Sequence, residues 1–195
     1  RAGCVPEQQL EVWGPLGNGF STAPARRLIF VAGGIGQTPF LALGRERLGG
    51  RDYGWTPRNI TTAQQVTFCY GVRSAEFLAG LDDFAEAGIE TRVSTDDGSA
   101  GRHGLDTELL IAALDESLAD DCRVACFGPK PLMAAVAAIC RDRGTPCEAS
   151  LETPMACGIG ICFSCVAKVR QPDGQWDYKR TCVEGPVFDA EKIVW

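Results

Sequence analysis

Four cysteines stand where they could do chemistry together. Cys157, Cys162 and Cys165 fall within nine residues, in Cys-Gly-Ile-Gly-Ile-Cys-Phe-Ser-Cys, and Cys182 follows downstream. This is the C-x4-C-x2-C then C spacing of plant-type [2Fe-2S] sites, and it names these four residues as the metal ligands. Two irons bridged by two sulfides need four thiolates converging from one loop and one more distant segment. The loop must wrap the inorganic core so that its backbone N–H groups face the sulfurs. Gly158 and Gly160 suit that wrapping, because glycine accepts positive φ and brings no side chain against the core. The N–H groups would in turn tune the potential. Two other uses of the thiols compete: a zinc site and a disulfide framework. Zinc ribbons usually pair two C-x2-C knuckles, whereas only Cys162 and Cys165 form one here.

The chain has ten cysteines. Cys69, Cys122, Cys126 and Cys140 lie in apolar stretches and read as buried thiols serving as small apolar residues. Cys4 and Cys147 have no assignment. The residues present show no basic segment followed by an apolar run, so a reducing cytoplasm is the expected location and metal ligation the expected use of the clustered cysteines. The longest purely apolar run, residues 132–140, is too short to cross a bilayer, and no membrane partner is expected. A net charge of -6 with one histidine argues against a nucleic-acid surface, which needs a concentrated basic face. The first residue is arginine, which reads as a fragment.

A second motif precedes the cysteines. Gly33-Gly34-Ile35-Gly36-Gln37-Thr38-Pro39 follows an apolar run and opens a helix, as a phosphate-binding turn does, although it lacks a full G-x-G-x-x-G. Glycines let a pyrophosphate approach the backbone, and the following helix turns free N–H groups and its positive dipole end toward it. A glycine turn used only for tight packing is the bland alternative. Gly128-Pro129, at the end of a later strand on the same sheet edge, strengthens the nucleotide reading. Asp96 and Asp97 are placed to accept hydrogen bonds from a ribose and to repel a 2′-phosphate, which leans toward NAD over NADP. Arg73 is placed for a phosphate. A solvated turn is the alternative for all three.

The elements that must position these residues alternate between short apolar strands and helices, the signature of an α/β fold with a parallel sheet. Strands are expected at 28–32, 65–70, 89–94, 122–127 and 146–151, giving a five-stranded parallel sheet. Helices are expected at 38–47, 75–86, 106–114 and 131–143, with Pro39 in a first turn and Gly144 as a stop. The polar segment 49–64 is longer than an ordinary connection and reads as mobile. Beyond Glu152 the texture turns to glycine and cysteine, and 166–169 and 176–179 flank Pro172-Asp173-Gly174 as a hairpin in a small β-rich domain.

Together these residues resemble the electron-transfer subunit of class B dihydroorotate dehydrogenase, within the ferredoxin reductase superfamily. The resemblance runs nearly end to end: residues 14–20 (Gly-Pro-Leu-Gly-Asn-Gly-Phe), 33–39, 95–99, 128–129, 152–165 and 178–188. It implies an N-terminal FAD barrel, a NAD-binding α/β domain and a [2Fe-2S] domain. On this chain these map to a barrel remnant at 1–24, the NAD domain at 25–147 and the cluster domain at 148–195. NADH would reduce FAD, and the cluster would pass single electrons to FMN in the dihydroorotate dehydrogenase catalytic subunit, in a heterotetramer serving pyrimidine synthesis. The cofactor-binding residues would be Gly33, Gly34, Ile35, Gly36, Thr38, Pro39, Asp96, Asp97, Phe127, Gly128 and Pro129. Two departures stand out. Too few residues precede Gly14 to form the barrel, so most of the FAD site would lie elsewhere and the fragment alone is expected to be inactive. The family tends to carry cysteine directly before Gly-Pro, where this chain has Phe127, with Cys126 one earlier. No catalytic residue is assigned, since hydride transfer between two cofactors needs none. A related reading is the flavin subunit of an NAD(P)-dependent ferredoxin reductase or hydrogenase complex, and a reading of another class is a non-enzymatic zinc or disulfide module.

Overall fold

A computed structural model describes residue 3 and residues 5–54, 60–116 and 121–195. Cys4 and part of the segment expected to be mobile, residues 55–59, lie outside the described residues. The five expected strands are β1 (Arg27–Gly33), β2 (Gln65–Val72), β3 (Glu90–Thr95), β5 (Cys122–Phe127) and β6 (Cys147–Ser150). Two short strands extend the sheet beyond the expected five. One is β4 (Arg102–His103), parallel to β3, and the other is β9 (Val187–Asp189), antiparallel to β6. The order is β4-β3-β2-β1-β5-β6-β9. A separate hairpin pairs β7 (Val166–Arg170) with β8 (Trp176–Arg180).

Residues 28–32 of β1 are all buried, as a parallel strand covered on both faces requires. Their alternation sends Leu28, Phe30 and Ala32 to one face and Ile29 and Val31 to the other. The first face packs α1 (Phe40–Arg47) and α2 (Leu81–Glu86) through an aromatic chain. Phe30 stacks on Phe40 with ring centroids 4.8 Å apart, and Phe68 meets Phe84 at 4.5 Å. The second face packs α3 (Asp106–Asp115) and α4 (Lys130–Asp142) and takes in Cys69, Cys122, Cys126, Cys140 and Cys147. Burial pushes the Cys69 thiol up to about 12, and Cys140 and Cys147 are raised by bonding to neighbouring thiols and by burial. These side chains serve as core, not as nucleophiles.

The helix expected at 75–86 is divided. A single 3-10 turn covers Ala75–Phe77, and α2 begins only after Gly80, whose φ of 71° breaks the helical path. Ahead of β1, residues 14–20 run along the cysteine-rich segment. The Asn18 backbone N–H donates to the Gly185 carbonyl at 2.6 Å, and its side chain bridges the Val187 carbonyl (2.9 Å) and N–H (3.0 Å). Fully buried Arg47 then ties the segment to the end of α1 by donating to the Ser21 and Ala23 carbonyls. Among the described residues no helix is long and apolar enough to cross a membrane.

Candidate functional site

At the C-terminal edge of the sheet the ends of β1, β2, β3 and β5 open a cavity of about 950 Å³, large enough for much of a dinucleotide. Gly33, Gly34 and Ile35 line it from β1, and Phe127, Gly128 and Pro129 from β5. The two turns interlock. A Cβ on Gly36 would lie 2.0 Å from the Phe127 carbonyl oxygen, so only glycine lets the turns close. Gly36 is buried behind the cavity wall, Thr38 bonds back to the Ile35 carbonyl, and Pro39 caps α1. These three residues shape the turn, and none of them lines the cavity.

The far end of the cavity is acidic. Asp96 lines it, but the Asp97 carboxylate accepts from the Ser99 N–H (2.9 Å) and Ser99 Oγ (2.5 Å) inside the 96–99 turn, and these bonds hold Asp97 below the usual carboxylate range. Arg73 also lines this end. Sequence reasoning missed two residues there. Asp106 opens α3 and projects over Gly71, where a Cβ would lie 2.6 Å from its Oδ2. Ser94 is 1% exposed and its Oγ has no hydrogen-bond partner. Desolvation, followed by the nearby charge of Asp96, pushes the Asp106 carboxyl up to about 6. Its backbone bonds at the helix start offset only part of that. Neither residue belongs to a recognisable spacing, because α3 meets β2 only through tertiary packing.

The strand β6 ends at Ser150, and Glu152, two residues on, lines the cavity. From there the chain enters the cysteine loop. Two contacts link its four cysteines. The Cys162 backbone N–H points at Cys157 Sγ at 3.5 Å, and Cys165 Sγ lies 3.0 Å from Cys182 Sγ. Backbone N–H groups of Cys162 and Ile159, with the Cys162 side chain, pull the Cys157 thiol down to about 6, toward the thiolate that binds metal. Cys165 is lowered and Cys182 raised by their mutual bond. Among the described residues no three or more His, Cys, Asp or Glu side chains gather as for a single metal ion. Gly158 and Gly160 take the positive φ that the sequence led one to expect, 67° and 78°.

The loop is sewn to β8. The Thr181 N–H donates to the Cys165 carbonyl at 2.7 Å, and the Thr153 and Thr181 hydroxyls bond to each other. Arg180 donates to the Gly160 carbonyl at 2.7 Å, pairs with Glu184 at 3.2 Å and lies over the Phe163 ring at 5.2 Å. Around the thiols Met155, Ile159, Ile161, Phe163 and Val183 are exposed, Ile161 at 73% and Phe163 at 68%.

Fold and site together define a ferredoxin-reductase-type nucleotide-binding domain that carries an iron–sulfur-type cysteine module. A solved structure of an NADH-dependent reduced ferredoxin-NADP oxidoreductase superposes with a TM-score of 0.75 at 27% identity, over 95% of this chain and 60% of that one. Residues 152–194 match the iron–sulfur cluster binding domain of dihydroorotate dehydrogenase B. The electron transfer subunit of dihydroorotate dehydrogenase B (NAD(+)) from Caldanaerobacter subterraneus is 37% identical over 95% of this chain and 66% of its own length. That from Clostridium perfringens is 33% identical over 97% of this chain and 68% of its own. The chain belongs to the family of dihydroorotate dehydrogenase B electron transfer subunits. It spans about two thirds of the length of these relatives.

Proposed function

We propose that the chain is the nicotinamide-binding and iron–sulfur part of an electron-transfer subunit, carrying electrons from NADH toward an FMN-containing dihydroorotate dehydrogenase catalytic subunit in the cytoplasm. The observation that carries this reading is the continuity of the two sites. Glu152 lines the nucleotide cavity and Cys157 follows five residues later, a span of at most about 17 Å of extended chain. A nucleotide and a cluster thereby share one sheet edge.

The four cysteines fit a two-iron cluster. Cys157, Cys162, Cys165 and Cys182 would hold the cluster, with the Cys162 N–H turned toward Cys157 Sγ and the Cys165 and Cys182 thiols side by side. When bound, the cluster accepts and releases one electron at a time, which a hydride donor cannot do. The chain's own residues do the rest. The turn at 33–36 admits the pyrophosphate, Gly128 and Pro129 border the nicotinamide end with Phe127 beside the ring, and the loop N–H groups stabilise negative charge on sulfur. The exposed apolar rim of Ile159, Ile161 and Phe163 suits a protein surface that must approach the cluster closely. FAD belongs, on this reading, to a barrel of which residues 1–24 are the remnant. The expected division at 147/148 falls inside β6, so the nucleotide domain runs from residue 25 through the end of β6 at Ser150, and the cluster domain follows it and returns β9 to the same sheet.

Anaerobic purification with iron, acid-labile sulfide and zinc assays tests the proposal. About two irons and two sulfides per chain, with a visible spectrum that bleaches on reduction, are expected. Stoichiometric zinc without sulfide, or metal-free protein after reconstitution, overturns it.

A further inference from the structure

The acidic end of the cavity carries more than the sequence motifs account for. Ser94 and Gly71 are paired across β3 and β2, so their side-chain positions share one face of the sheet. That face is where the Asp106 carboxylate lies, in the space a side chain on residue 71 would fill. Ser94 is among the residues lining the cavity, and its Oγ is buried with no protein partner. A buried hydroxyl left without a partner is costly unless something else satisfies it. The carboxylate of Asp106 and the hydroxyl of Ser94 thus present one charged acceptor and one donor-acceptor to whatever occupies this end.

We propose that Asp106, together with Ser94, reads the adenosine ribose of the dinucleotide, and that Asp106 is the residue that rejects a 2′-phosphate. This rests on the nucleotide reading above and names the discriminating residue within it. A ribose diol has two hydroxyls to donate, and it matches a carboxylate beside a serine hydroxyl. A phosphate on the 2′ oxygen removes one donor and brings up to two negative charges against Asp106 and Asp96. Arg73 is the one cation among the residues bordering this end of the cavity, and it cannot balance both carboxylates and a phosphate. Asp97, the other acidic residue of the Asp-Asp pair, is committed to Ser99 and lies outside the cavity lining. The pair at 96–97 therefore contributes one charge to discrimination, and α3 supplies the second.

The test is calorimetric titration of the full chain with ADP-ribose and with its 2′-phosphate, which needs neither flavin nor cluster turnover. The unsubstituted chain is expected to bind ADP-ribose at least tenfold more tightly. Asp106→Asn, nearly isosteric, should cut that ratio tenfold or more, and Asp106→Glu should keep it on the side of ADP-ribose. Ser94→Ala should weaken both ligands by a similar factor. A ratio unchanged in Asp106→Asn, or equal affinity for both ligands in the unsubstituted chain, overturns the inference and leaves nucleotide binding standing. Binding of neither ligand overturns the nucleotide reading itself, and this inference with it.

Discussion

The sheet and the cysteine loop are built on different physics. Strands β1, β2 and β5 hold their positions through side chains buried on both faces, and the cavity-lining turns are the ends of those rigid strands. The loop from 152 to 165 buries Cys165 but exposes Met155, Ile159, Ile161 and Phe163, and its shape comes from hydrogen bonds to β8 and from glycines at positive φ. A nucleotide site can therefore exist before its ligand arrives. The cluster site lacks a comparable apolar core, so ligation itself should supply much of its order.

That contrast predicts separable failures. The largest effect is expected from Cys182→Ser, which removes one thiol of the pair on β8's flank. Labile sulfide should fall to near zero, while affinity for ADP-ribose stays within about twofold by the calorimetric criterion of a 1.4 kcal/mol decade. Loss of nucleotide binding in that variant would mean that the sheet depends on the cluster. The converse change is Phe30→Ala, which empties a fully buried ring site stacked on Phe40. It should cost about 3–5 kcal/mol in urea unfolding. A cost below 1 kcal/mol would show that the aromatic chain is not what holds the sheet.

A pH effect follows in the same series. Asp106 titrates at about 6 in the folded chain, above its ordinary 3.8, because desolvation and Asp96 disfavour its charge while Arg73 borders the same cavity. Glu108 on the same helix is engaged by Arg102 at 2.6 Å. The folded state thus binds the Asp106 proton more tightly than the unfolded state. Its contribution is neutral below pH 4, and stability is lost as pH rises from about 4 to about 6, by at most about 3 kcal/mol. Asp106→Asn should be more stable than the unsubstituted chain at pH 7, and that advantage should vanish at pH 4. An advantage independent of pH would refute the assignment. The smallest effect belongs to Asn18→Ala, which removes two side-chain bonds to Val187 at an exposed position. It should cost about 1–2 kcal/mol. Faster proteolysis confined to residues 5–24 would mark the release of that segment, and unchanged digestion would count against the clip.

The cysteine motif was legible because its spacing is local: nine residues contain three of its four thiols. The strands were legible because a parallel strand buried on both faces is a continuous apolar run, as in residues 28–32. The division at Gly80 was not, since a glycine after Phe77-Leu78-Ala79 fits a helix interior as a costly but allowed residue. Ser94 and Asp106 escaped notice for a different reason. Their relation exists only once α3 lies over β2, and no periodicity within either element announces it. Strand β9 was hidden likewise, as three residues whose partner strand lies some forty positions earlier.

That last strand has an engineering consequence. The cysteine-rich segment leaves the sheet after β6 and returns to lay residues 187–189 along it, with Glu148 opposite Asp189 and Ser150 opposite Val187. Cutting the chain between 147 and 148 would sever β6 within itself and strip its outer hydrogen-bond row, exposing an unpaired template for aggregation. The cluster unit is consequently not a detachable cassette. A graft onto another reductase would have to carry its own copy of that returning strand and find a host β6 in matching register.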